Sequence, residues 1–165
     1  MHPLLAFTAA LLALALPAGE TEYDYWANHK AGSWVKLKME VDTNGVKVSV
    51  DAHHILSELA GDKVVVERKT KVTAAGMEQP ESSEKEEIFK GKDKEPVKIE
   101  KEGDEEIEVG GKKVQCHWIQ GTQKETHKVK FWISKQIPGG MAKAEVEGGD
   151  IPAPMKIVAT SWESK

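Results

Sequence analysis

From Ser33 to Val41 polar and apolar residues alternate without a break. Val35, Leu37, Met39 and Val41 fall on one side, and Trp34, Lys36, Lys38 and Glu40 on the other. A repeat of two is the side-chain period of an extended strand, and it does not fit a helix. Asp42-Thr43-Asn44-Gly45 follows, and Asn-Gly tolerates the positive φ that a tight hairpin needs. Val46, Val48, Val50 and Ala52 then resume the apolar side, with Lys47, Ser49, Asp51 and His53 opposite. Near His53–Leu59 the phase slips by one residue, which reads as a β-bulge or as a short helix carrying Ile55, Leu56 and Leu59. After Ala60-Gly61-Asp62, a third strand runs through Val64, Val66, Arg68, Thr70 and Val72. Short turns between such strands predict an antiparallel meander.

The same period returns later in the chain. Gly110-Gly111 separates two alternating runs, the mark of a two-residue hairpin. Val114, Cys116 and Trp118 share one side of the second run. In His127–Ser134, Val129, Phe131 and Ile133 oppose Lys128, Lys130 and Trp132. Ile137-Pro138-Gly139-Gly140 ends that strand, and Met141–Val146 and Met155–Trp162 supply two more. The expected fold is all-β and mainly antiparallel: a strongly bent sheet or partial barrel of about eight strands, without a long helix. Glu20–Ala31 holds Tyr23, Tyr25 and Trp26 and is expected to make one or two helical turns before Gly32. Glu78–Glu108 is dominated by Glu and Lys and reads as a charged, mobile central excursion carrying one or two edge strands.

The first 19 residues differ in kind. Met1–Gly19 has no Lys, Arg, Asp or Glu, and its apolar run Leu4–Leu16 is broken by Pro17-Ala18-Gly19. The run is shorter than the ~20 residues that span a bilayer as a helix, and its layout is that of a secretory signal peptide. The expected organisation is a signal peptide at 1–19 and a single β domain at 20–165, extracytoplasmic (periplasmic or secreted), with no membrane span after signal removal. A single cysteine, Cys116, excludes an intrachain disulfide, so the core alone must hold the fold. A net charge of −4 argues against nucleic acid as a partner.

Gly111-Lys112-Lys113-Val114-Gln115-Cys116-His117-Trp118, Phe131-Trp132-Ile133-Ser134 and Ile137-Pro138-Gly139-Gly140-Met141-Ala142-Lys143 together resemble a group of small exported bacterial proteins of unknown function. The segment from Trp26 to Gly32-Ser33-Trp34-Val35-Lys36 resembles their opening. More loosely, the strand and turn layout is similar to the LolA-like half-barrel superfamily of lipoprotein carriers. That resemblance implies a curved antiparallel sheet around an apolar cavity closed by helices. Neither resemblance brings catalytic residues with it.

The residues themselves offer little chemistry. His117 adjoins Cys116 but points to the opposite side of a strand, so the thiol has no neighbouring base. In His53-His54 beside Asp51, only Asp51 and His53 share a side, short of the three or four ligands of a zinc site. Ile137-Pro138-Gly139-Gly140 lacks the P-loop pattern and reads as a turn. No catalytic residue, metal ligand or cofactor is expected, and the domain reads as non-enzymatic. Trp34 and Trp132 fall on the polar sides of their strands. They are the candidates to line a groove for a small apolar molecule or lipid, or to form a second small core. The alternative function is a structural or interaction protein of the cell envelope that docks a partner on the Glu/Lys-rich ribbon. An apolar cavity of roughly 300 Å³ or more would favour ligand carriage, and a filled interior would favour docking.

Overall fold

A computed structural model describes residues 20–92, 96–149 and 151–165. The signal-peptide expectation at 1–19 lies outside the described residues. The described residues begin with a short helix, α1 (Glu22–Ala27), followed by ten strands. These are β1 (Trp34–Thr43), β2 (Val46–Ala60), β3 (Lys63–Ala74), β4 (Met77–Glu78), β5 (Ser82–Phe89), β6 (Lys98–Val109), β7 (Lys112–Gln123), β8 (His127–Ile133), β9 (Met141–Gly148) and β10 (Met155–Glu163). Among the described residues these strands pair antiparallel throughout. The sheet is therefore the expected antiparallel β architecture, with ten strands instead of about eight. The additional strands are the two-residue β4 and the separation of β5 and β6 within the charged stretch.

The order across the sheet is β4-β3-β2-β1-β10-β9-β8-β7-β6, and β5 pairs with β3 alongside β4. The first and last strands thus meet in the middle. From β1 the chain works outward to β5, crosses to the far edge at β6, and works back to β10. β5 and β6 are the two edges, and the sheet does not close into a barrel.

Turn chemistry sets these hairpins. Asn44 and Gly45 have φ of 53° and 81°, and Gly110 and Gly111 have φ of 57° and 76°. Two successive positive values match the right-handed twist of the flanking strands, which is why Asn-Gly and Gly-Gly sit there. The phase slip in β2 is a bulge between Leu56 and Glu58, and the strand runs through it to Ala60 without a helix. A second irregularity sits between Lys36 and Leu37 against β10.

Paired residues across an antiparallel ladder share a face, so the register defines one inner surface. Phe131 pairs Ala144, Ala144 pairs Ile157, Ile157 pairs Met39, Met39 pairs Val50, and Val50 pairs Val72. Each of these residues is buried. The sheet wraps this apolar row and α1 lies over it. Tyr23, Tyr25 and Trp26 of α1 belong to the same core cluster as the strand residues. Cys116, Val109 and Val114 of the β6–β7 hairpin join that cluster as well. The hairpin tip comes down on β10, where a Cβ added at Gly110 would lie 2.5 Å from the Thr160 carbonyl oxygen. Only glycine fits that approach.

Candidate functional site

The inner face is filled by the helix that covers it. Thr21 donates its backbone N–H to Asp24 Oδ2 at 2.8 Å, half of a capping box that starts α1 in the right place. Trp26 is 1% exposed and its indole lies flat against the turn after β8. A Cβ at Gly139 would sit 2.8 Å from that indole, and one at Gly140 would sit 2.5 Å from the Tyr25 ring. Ile137-Pro138-Gly139-Gly140 is thus a turn, closed by the Gly140 N–H donating to the Ile137 carbonyl at 2.8 Å, and its glycines are the seat of two aromatic rings. Tyr23 donates its hydroxyl to the Gly61 carbonyl at 3.0 Å, and Tyr25 donates to Glu20. Desolvation, then the Glu20 carboxylate, push the Tyr25 hydroxyl far above the ordinary tyrosine range. Glu20 also meets Lys135 at 2.6 Å, and hydrogen bonds from Lys135 and Tyr25 hold its carboxyl below its usual value.

Beneath α1 lies the one cation in the buried set. Arg68 points inward from β3, in phase with Val64, Val66 and Val72, and its side chain is 5% exposed. Its Nη2 meets Glu22 of α1 and Glu86 of β5, each at 2.7 Å. The buried His54 stands opposite it on β2. This charged cluster ties helix, third strand and edge strand together. A polar residue in phase with an apolar row was its only signal in the sequence. The space left between α1 and the sheet is a cavity of about 30 Å³.

Trp34 and Trp132 both lie opposite the apolar row. Trp34 is half-buried, meets His53 edge-on at 5.4 Å between centroids and has the Lys36 ammonium 5.6 Å from its ring. Trp132 is buried and belongs to the hydrophobic core cluster, on the same face as Trp118 and Cys116. Lys130 stands 4.6 Å from both its ring and that of Trp118, Lys143 stands 4.1 Å from it, and its Nε1 donates to Glu105 at 2.8 Å. The structure does not bring the pair together. Trp34 pairs Glu163 of β10, whereas Lys143, the partner of Trp132, pairs Val158. Two strands intervene and the two positions are offset along β10, which puts the two indoles roughly 20 Å apart by strand spacing and rise.

The remaining candidates take structural places. Cys116 is buried, and desolvation pushes its thiol up to about 11, so it is neutral near pH 7 and a poor nucleophile. His53 and His54 alternate across the sheet, and burial lowers the pKa of His53. Among the described residues no group of three or more His, Cys, Asp or Glu is arranged to hold a metal ion.

The outer edge is chemically distinct. Along β6, Glu102, Asp104, Glu106 and Glu108 occupy alternate positions on one face, and all are exposed. Strand rise spaces them roughly 6.6 Å apart. Among the described residues β6 pairs only with β7, so its other side presents backbone N–H and C=O groups along the same line. His117 of β7 sits between two of the acids, its Nδ1 3.0 Å from Asp104 and its Nε2 3.4 Å from Glu102. The hydrogen bond with Asp104, against some desolvation, raises the imidazole pKa. An open groove of about 430 Å³ lies on the outer face, lined in part by Lys128, Lys130 and Lys156 with Glu40, Glu145 and Glu147. Its floor is a cross-strand row of alternating charge, in which Lys130 pairs Glu145, Glu145 pairs Lys156, and Lys156 pairs Glu40.

No protein-family model, curated protein or solved structure matches this chain.

Proposed function

We propose that the protein is an exported, non-enzymatic interaction module that docks a basic, extended segment of an envelope partner along the open edge at β6. The carrying observation is the coincidence of two features on one strand: unpaired backbone groups, and exposed carboxylates at every second residue. Main-chain groups on a sheet edge add a strand and give affinity, and side chains at alternate positions give specificity. A partner strand with Lys or Arg at alternate positions matches both. The filled inner face supports the same reading, because a cavity of about 30 Å³ is far below the volume of a small-molecule site. Export rests on the leader-like composition of Met1–Gly19.

The test is a titration of a fluorescently labelled peptide of alternating lysine and valine. Saturable binding that weakens as salt rises, and that the triple variant Glu102→Gln, Asp104→Asn, Glu106→Gln loses, is the expected result. Equal binding by that variant would overturn the proposal, as would no saturable binding at low salt.

A second reading, carriage of a small apolar molecule or lipid, is favoured by one observation: the short six-residue helix packs three aromatic rings onto the apolar inner face. In that reading the ligand takes the place of Tyr23, Tyr25 and Trp26 when α1 lifts. A fatty acid would then shift the Trp26 emission in a saturable way.

A further inference from the structure

The cavity under α1 is small but chemically specific. It has a volume of about 30 Å³ and is lined by Trp26 and Glu22 of α1, Leu37 of β1, Arg68 of β3, and Gly139 and Met141 beyond β8. His54 lines it as well, and among the described residues two donors of the residues that line it have no hydrogen-bond partner, Trp26 Nε1 and Arg68 Nε. Both residues are more than nine-tenths buried, at 1% and 5% exposure. The Arg68 guanidinium spends Nη2 on Glu22 and Glu86, which leaves Nε aimed elsewhere. An orphaned buried donor costs about 1–3 kcal/mol, so two at one cavity are not left bare when an acceptor fits.

We infer that this cavity is a binding site for one internal water molecule. A water needs roughly 10–15 Å³ of such space and two to four polar partners, and the cavity supplies both. The water oxygen accepts from Trp26 Nε1–H and from Arg68 Nε–H. The Glu22 carboxylate on the cavity wall accepts one of its hydrogens in return. The bound water joins the helix to β3 and completes the seat of α1 that the ion pair and the glycine turn begin. A dry, purely apolar filling is the alternative, and the two donors argue against it. The site does not depend on the docking proposal, since β6 lies at the far edge of the sheet.

The test uses the full chain, labelled with nitrogen-15. Magnetisation transfer from water to the Trp26 indole Nε1–H is expected, with the sign of a molecule held for longer than the protein tumbles. A high-resolution crystal structure is expected to show one density peak within hydrogen-bond distance of Trp26 Nε1 and Arg68 Nε. A cavity without density, a water bonded to neither nitrogen, or an indole proton that shows no long-lived water contact would overturn the inference.

Discussion

The two edges of the sheet are written in nearly the same alphabet and end in different environments. β5 reads Ser-Ser-Glu-Lys-Glu-Glu-Ile-Phe, and β6 carries Glu-Lys-Glu-Gly-Asp-Glu-Glu-Ile-Glu. On β5, Glu86 is drawn against a buried arginine and Ile88 enters the core. On β6, four acids in alternate positions face water, and Ile107 is only half-buried. Composition is common to both, so it does not decide burial. The neighbour across the ladder does: β5 lies beside β3, whose inward Arg68 needs carboxylates, while β6 lies beside β7 at the sheet's open end. An ionised side chain is tolerated inside only with a partner of opposite charge, and Arg68 supplies one to β5 alone.

This contrast breaks most easily at Arg68. Arg68→Ala removes the buried cation shared by the half-buried Glu22 and by Glu86; a loss of about 3 kcal/mol is expected in chemical denaturation. A loss under about 1 kcal/mol would mean that the cluster is solvated and that the two edges are alike. Next in size is a pair of matched truncations. Ile88→Ala on β5 should cost about 2–4 kcal/mol, and Ile107→Ala on β6 clearly less, because the first empties a packed site. Equal costs would remove the distinction.

Smaller effects sharpen the picture of β6. The variant Glu102→Gln with Asp104→Asn should change stability by no more than about 0.5 kcal/mol, as exposed charges do, when measured at a pH well above the raised His117 value. His117 gives a pH signature of its own. Its folded pKa is raised, so its stabilising contact with Asp104 and Glu102 is fully present below the unfolded value of about 6.5 and fades as pH rises through the folded value. His117→Gln should therefore lower stability at pH 5.5 and leave it unchanged at pH 8.5, by about 0.2–1 kcal/mol at most for so exposed a group. Equal effects at both pH values would place His117 outside the acidic row.

Much of the sheet was legible in the sequence because its signals are local. Alternation in β1, β2 and β8, the Asn44-Gly45 and Gly110-Gly111 turns, and the one-residue slip at the β2 bulge each depend on a few neighbouring residues. What was not legible is non-local. That β5 and β6 lie at opposite ends of the sheet follows from where β10 docks on β1, which no short window encodes. The glycines at 139 and 140 announce a turn, yet their reason, the rings of Tyr25 and Trp26, lies over a hundred residues earlier. Alternation sets Trp34 and Trp132 opposite Val35 and Phe131, but their separation depends on register across two intervening strands.

The account rests on the acidic edge being where a partner binds, and on the inner face being full. Nitrogen-15 amide shifts, followed while the alternating lysine–valine peptide is added, test this most directly. The account predicts shifts concentrated along Lys98–Val109 and the facing residues of β7, with α1 unmoved. Shifts centred on Tyr23, Tyr25 and Trp26, or no shifts at low salt, would contradict it.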